Sequence, residues 1–171
     1  MKSIYLLTGQ PGTGKTSLIK QVIADTDIDA GGFYTEEIRA RNTRTGFRIV
    51  TLDGREAILS HIDFNKRFQV GKYGVDINAL NEVGVTAILK AVEYSKLVVV
   101  DEIGKMELLS EAFRNAVRII VDSSKRTLGT IMRNTNPFTD SIKCQSQVNL
   151  LTLTRNNYDR ILSDVKEWLK T

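Results

Sequence analysis

The chain of 171 residues has one cysteine, one histidine, one tryptophan and two prolines, and each scarcity excludes something. Cys144 alone cannot close an internal disulfide, so the fold has no cysteine framework and a reducing compartment is expected. One histidine, His61, and one cysteine are too few to make up a His/Cys metal centre. No apolar run approaches the roughly 18 residues of a membrane span, and Ile4 to Leu7 is too short for a signal-peptide core. A cytoplasmic protein with no membrane partner is therefore expected. No repeat, low-complexity tract or Pro/Gly/Ser linker divides the chain, so one domain over residues 1–171 is expected. Neither sign of charge dominates: 24 basic and 20 acidic residues leave 24 − 20 = +4. A surplus that small fits solubility and leaves a polyanionic partner, nucleotide or nucleic acid, open.

What is present is an ordinary globular composition, 42% hydrophobic and 26% charged, arranged in alternating elements. Ser3 to Thr8 is a short apolar run ending at a glycine, the pattern of a buried strand. Lys15 to Asp25 places Leu18, Ile19, Val22 and Ile23 on one helical face. Gly32 to Arg41 and Gly46 to Leu52 read as strands around a turn at residues 42–45. Asp53-Gly54 leads into a further strand, Arg55 to Leu59. After a loop, Asp76 or Asn78 can cap a helix running to about Tyr94. Lys96 to Asp101 is a continuous β-branched run, as a central parallel strand requires. Met106 to Asp122 reads as helix, Arg126 to Met132 as strand, and Pro137 opens a short helix. Val148 to Leu153 is a last strand and Asn156 to Lys170 a closing amphipathic helix. The expectation is an α/β fold: a mostly parallel sheet flanked by helices, with an antiparallel hairpin insertion near residues 32–60.

One segment carries specific chemistry. Gly9-Gln10-Pro11-Gly12-Thr13-Gly14-Lys15-Thr16 matches G-x4-G-K-[ST] in full, between a strand and a helix, as a phosphate-binding loop (Walker A) requires. Its glycines let successive N–H groups turn inward, and the helix beginning at Lys15 adds the positive end of its dipole. Lys15 is the expected partner of the β- and γ-phosphates, and the Thr16 hydroxyl a ligand of Mg²⁺. Asp101 and Glu102 follow the apolar run 97–100. A strand parallel to the first delivers them to the same edge of the sheet, where ligands of such sheets bind. Asp101 is then the magnesium-side carboxylate, and Glu102 the residue that orients a water for in-line attack on the γ-phosphate. An unperturbed glutamate, with a pKa of about 4.3, needs no tuning for that role. Guanine-reading N-K-x-D is absent, since Asn65-Lys66 is followed by Arg67 and Phe68, so no guanine selectivity of that type is expected.

These blocks, with Gly32-Phe-Tyr-Thr-Glu-Glu-Ile-Arg39, Gly46-Phe-Arg48, Val70-Gly-Lys-Tyr-Gly-Val-Asp76 and Asp101-Glu-Ile-Gly-Lys-Met-Glu-Leu108, span nearly the whole sequence. Through them the chain resembles the P-loop nucleoside-triphosphatase family first described in thermophiles, to which a human cancer-related nucleoside-triphosphatase belongs. The resemblance implies a RecA-like mixed sheet and slow, Mg²⁺-dependent hydrolysis of several nucleoside triphosphates, ATP and GTP among them. It also implies a nucleotide-binding stretch of Leu97, Val98, Val99, Val100, Asp101, Glu102, Ile103 and Gly104. The family pattern L-T-x-x-N-R-D reads here Leu153-Thr-Arg-Asn-Asn157-Tyr158-Asp159. Tyrosine thus stands where the family has arginine, and Arg155 or Arg160 is the available substitute.

Among weaker features, Arg133 follows the strand 126–132, either as an arginine that stabilises transition-state charge or as a solvated surface residue. Arg39, Arg41, Arg44 and Arg48 crowd the hairpin, as a phosphate-binding lid or as a solvated face. Lys105 and Glu107 belong to the acidic block. Cys144 and Trp168 read as ordinary surface or packing residues. Two other function classes share this chemistry: a nucleotide or polynucleotide kinase, and an ATP-dependent switch acting on a nucleic-acid or protein partner. A monomer is expected.

Overall fold

A computed structural model describes residues 1–171. Strand β1 (Ile4–Thr8) leads into helix α1 (Lys15–Thr26), and then come β2 (Ala30–Ala40), β3 (Thr43–Thr51), β4 (Glu56–His61), β5 (Gln69–Val70) and β6 (Tyr73–Val75). A continuous helical segment follows, α2 (Ile77–Ala79), a π-helical turn (Leu80–Val85) and α3 (Thr86–Tyr94). The chain closes with β7 (Leu97–Ile103), a 3₁₀ turn (Glu107–Leu109), α4 (Glu111–Asp122), β8 (Arg126–Ile131), α5 (Pro137–Lys143), β9 (Val148–Thr152) and α6 (Tyr158–Lys170). No helix is long and apolar enough to cross a membrane.

All nine strands form one sheet in the order β5-β6-β4-β3-β2-β7-β8-β1-β9. From β2 to β9 neighbours are parallel, and from β2 to β5 they are antiparallel. The hairpin expected as an insertion is thus a continuation of the same sheet: β2 is the shared strand, parallel to β7 on one side and antiparallel to β3 on the other. Side chains of the central strands alternate between two cores. Val98 and Val100 pack with Ile88, Phe113 and Val117 on the α3/α4 side. Leu97 and Val99 pack with Leu18, Val22, Ile161 and Val165 on the α1/α6 side. All four of these β7 residues are 0% exposed, which is why the run is apolar without alternation.

Three local expectations are corrected. The β2–β3 turn is Arg41-Asn42, not residues 42–45. Both residues have positive φ (49° and 63°), the backbone of a two-residue hairpin turn, so Thr43 already pairs with Ala40. The helix expected from Met106 begins only at Glu111. Ser110 is extended, caps α4 through the Phe113 N–H at 3.0 Å and donates to Asn81 Oδ1, which breaks the helix at that point. Residues 69–75, expected as loop, make the small β5–β6 hairpin, pinned to β4 by Ser60 opposite Val75. As expected of the two capping candidates, Asp76 takes the role, accepting from Ala79 N at 3.0 Å.

Candidate nucleotide site

The loop after β1 owes its path to three glycines with positive φ, 152° at Gly9, 78° at Gly12 and 91° at Gly14. Gly9 is also sterically required, since a Cβ there would lie 2.5 Å from the Leu153 carbonyl, and one at Gly14 would press on the Tyr158 ring at 3.1 Å. The first turn of α1 has neither a side-chain cap nor an acidic residue, so its N–H groups face the cleft unpartnered by side chains. Lys15 Nζ folds over the loop and donates to the carbonyls of Gly9 and Gln10, at 3.0 Å each. Thr13 Oγ1 donates to the Gln10 carbonyl at 2.9 Å, bracing the same turn.

Asp101, 3% exposed, stands at the end of β7 and holds the centre of the site. Its Oδ2 accepts from Thr16 Oγ1 at 2.5 Å and its Oδ1 from Thr130 Oγ1 at 2.6 Å. Thr130 comes from β8, which runs between β1 and β7 and so meets the carboxylate from the strand between loop and acid. Burial pushes the Asp101 pKa up, while the Thr130 and Thr16 hydroxyls and the Lys15 charge oppose the shift. Burial likewise raises Glu102, with the Asp101 charge adding and Lys15 opposing. The expectation of an untuned glutamate is therefore corrected: the carboxyl of half-buried Glu102 is held above the ordinary glutamate range. Glu107, 5% exposed in the 3₁₀ turn, is raised to about 8, by burial first and then by the Glu102 charge.

These groups meet in one cleft of about 440 Å³. Pro11, Gly12, Lys15 and Thr16 line its loop wall, Asp101, Glu102, Lys105 and Glu107 its acidic wall, and Thr35, Glu37, Arg44 and Phe47 the wall made by β2 and β3. A second opening of about 520 Å³ runs along the other side of the loop, where exposed Arg133 joins Gly9, Gln10, Lys15 and Glu102. Arg133 therefore lies with the expected groups, as its strand predicts. Leu97, Val98, Val99, Val100 and Ile103 do not line either space. They are buried in the cores and carry Asp101 and Glu102 to the edge of the sheet.

The arginine substitution resolves structurally. Tyr158 lies against Gly14 and its hydroxyl donates to Gln21 Oε1 at 3.1 Å, while Asn157 ties the turn through Thr154 N and the Thr152 carbonyl. Arg155 and Arg160 are exposed and line neither opening. Of the hairpin arginines, Arg39 and Arg44 pair with Glu37, and Arg48 with Glu36 and Glu56. Trp168 stacks on Tyr5 at 4.0 Å between ring centroids, His61 pairs with Asp63, and Cys144 is exposed. Sequence reasoning missed Thr130, Thr35, Glu37 and Asn134 as site residues. Thr130 alone left a trace, as the only hydroxyl in the apolar second half of its strand.

Comparison with known proteins follows the same geometry. A model of the NTPase family matches residues 4–166. The nucleoside-triphosphatase THEP1 of Thermotoga maritima is 44% identical over 165 residues, covering 96% of this chain and 94% of its own. The human cancer-related nucleoside-triphosphatase is 34% identical over 179 residues, covering 93% and 92%. The crystal structure of THEP1 from Aquifex aeolicus superposes with a TM-score of 0.90 at 37% identity, covering 100% of both chains.

Proposed function

Since the chain belongs to this nucleoside-triphosphatase family and hydrolyses nucleoside triphosphates, we propose that it does so with Mg²⁺, on purine and pyrimidine substrates alike, using Lys15, Thr16, Asp101, Glu102 and Arg133. The observation that carries this reading is the convergence of Lys15, Thr16, Asp101 and Glu102 on one cleft from two separate elements, the start of α1 and the end of β7. The Thr16 hydroxyl and the Asp101 carboxylate form a hard oxygen pair 2.5 Å apart. No group of three or more His, Cys, Asp or Glu side chains is placed to hold a metal ion by itself. That donor set fits Mg²⁺, which keeps few protein ligands and takes phosphate oxygens and waters for the rest. Held by Thr16 and Asp101, Mg²⁺ would supply charge neutralisation to the bound phosphates.

The chain's own groups do the remaining work. Lys15 exchanges the Gly9 and Gln10 carbonyls for phosphate oxygens, and the N–H groups of residues 12–16 hold the anion along the α1 axis. Glu102 accepts a hydrogen bond from a water and so aims its oxygen in line at the γ-phosphorus. The water oxygen bonds to phosphorus as the bond to the β-bridging oxygen breaks, giving diphosphate nucleoside, inorganic phosphate and a proton. Arg133 faces the developing charge from the second opening. Binding energy then comes mainly from the triphosphate, and no element that reads a guanine edge is present in the sequence. A panel of ATP, GTP, CTP and UTP is expected to give kcat/KM values within about tenfold, or about 1.4 kcal/mol, with loss of turnover on chelation of Mg²⁺. A hundredfold preference for one base, or full activity in chelator, overturns the reading.

A further inference from the structure

β2 pairs with β7 only through Ala30–Phe33, yet it continues to Ala40. Residues 34–40, about 20 Å of strand at roughly 3.3 Å per residue, thus overhang the edge of the parallel sheet where the phosphate loop lies. β3 pairs along this overhang, with Phe47 opposite Glu37 and Arg44 opposite Arg39. The overhang therefore forms the third wall of the main cleft, facing Lys15, Thr16 and Glu102 with Thr35, Glu37, Arg44 and Phe47. Hydrolysis by the phosphate loop and the acidic strand gives no reason for such a wall.

Arg44 is its distinctive member. Its Nε donates to the Tyr73 hydroxyl at 2.9 Å and its Nη1 to Glu37 Oε1 at 3.2 Å. Its guanidinium carbon lies 5.1 Å from the Phe47 ring centroid and 5.8 Å from that of Tyr73. The group is thus held at two of its three nitrogens and lies against two rings, while Nη2 donates to nothing within the chain. A guanidinium fixed at Nε and Nη1 presents its remaining N–H groups in a set direction, the geometry suited to phosphate oxygens. The electrostatics ask for one. The cleft holds Glu37, Asp101, Glu102 and Glu107, and its only other cations are Lys15 and Lys105, so a triphosphate brings further negative charge to a wall already acidic. Arg39, on the same face of Glu37, shares that carboxylate's charge at 2.7 Å and leaves Arg44 less neutralised.

We propose that Arg44 is a further catalytic residue of this site: its free Nη2 group binds an oxygen of the γ-phosphoryl group from the β2–β3 wall and stabilises the charge that gathers there during hydrolysis. The proposal rests on the assignment of Lys15 and Glu102 to the γ-phosphate end of the cleft. Because the diphosphate product lacks the group Arg44 touches, the residue discriminates triphosphate from diphosphate and belongs to turnover more than to nucleotide capture. Tyr73 is its positioning residue.

The test is steady-state hydrolysis of Mg²⁺-ATP together with equilibrium binding of ATP and ADP, on Arg44→Gln, Arg44→Lys, Tyr73→Phe, Lys15→Ala and, as a control at the exposed hairpin tip, Arg41→Gln. Arg44→Gln is expected to lower kcat on the order of 30-fold, the effect of losing a hydrogen-bonded charge, with ADP affinity within about threefold of wild type. Arg44→Lys keeps the charge without the planar edge and is expected to fall in between, Tyr73→Phe to lose several-fold in kcat, and Arg41→Gln to match wild type. If Arg44→Gln folds poorly, Arg44→Lys decides by its ATP-to-ADP affinity ratio, which falls if Arg44 touches the γ-phosphate. Wild-type kcat in Arg44→Gln, or equal loss of ATP and ADP affinity in either Arg44 variant, overturns the proposal. Lys15→Ala separates the two levels: if it too hydrolyses ATP at the wild-type rate, the assignment of the cleft itself fails.

Discussion

Replacing Thr130 by valine removes one hydroxyl and leaves the backbone of β8 in place. Thr130 is 0% exposed and its Oγ1 donates to Asp101 at 2.6 Å, so no water can take over the bond without opening the core. A hydrogen bond to a charged group is worth about 1.5–3 kcal/mol, and that is the expected loss of stability at pH values where Asp101 is ionised. For a chain of this size it corresponds to a fall in Tm of roughly 3–12 °C. The loss depends on pH with a definite sign. The hydroxyl favours ionised Asp101, whose folded pKa burial has already raised. The variant raises it further, so the gap between the two proteins widens as pH increases through that range and closes as Asp101 becomes protonated in both. The same hydroxyl aims the carboxylate that pairs with Thr16, and the Mg²⁺ concentration for half-maximal turnover is expected to rise about 10–100-fold, the usual cost of an outer partner of a metal ligand. Thermal melts across pH and a Mg²⁺ titration of activity are the assays. A variant with unchanged Tm at every pH and an unchanged Mg²⁺ requirement refutes the reasoning, because one of the two hydroxyl contacts of Asp101 would then contribute nothing.

Glu107 sets a second pH dependence. With a pKa of about 8 against an ordinary value of 4.5, folded protein binds its proton more tightly than unfolded chain does. Stability from this group is full below the unfolded value and is lost as pH rises toward 8, at up to about 1.4 kcal/mol per unit. Glu107→Gln is expected to flatten that decline in a series of melts, and an unchanged slope contradicts the buried-acid assignment. Gly32→Ala tests the crossing of β2 and β7: at φ 107° its Cβ would lie 2.0 Å from the Val99 carbonyl, with no flexible neighbour to yield. The expected cost exceeds about 3 kcal/mol, or roughly 6 °C in Tm, and a melt within a degree or two of wild type refutes it.

Much of this was legible because particular signals were redundant. The phosphate loop has a fixed spacing, fixed glycines and the expected strand and helix on either side. The run 97–100 is apolar at every position because both faces of β7 are covered, and that burial brings Asp101 to the ligand edge. What sequence could not supply lies in pairing between distant segments. Thr130 meets Asp101 only because β8 threads between β1 and β7, and Arg44 reaches the cleft only because β2 overruns β7 and carries β3 with it. Ser110 breaks a helical pattern through a tertiary partner, Asn81, that lies 29 residues away. Burial of Glu102 is likewise a property of the assembled edge, so its raised pKa had no counterpart in the motif.

The central claim is that Glu102 aims the attacking water while Asp101 and Thr16 hold the metal side of the nucleotide. Single-turnover hydrolysis of Mg²⁺-ATP measured beside equilibrium binding, for Glu102→Gln and Asp101→Asn, tests it most directly. Glu102→Gln keeps the shape of the side chain and removes its charge. It is expected to bind Mg²⁺-ATP about as tightly as wild type and to hydrolyse it on the order of 100-fold more slowly. Asp101→Asn is expected to lose both binding and turnover, because its carboxylate serves ground and transition states alike. Hydrolysis by Glu102→Gln at near the wild-type rate contradicts the account and places the water-orienting group elsewhere in the cleft.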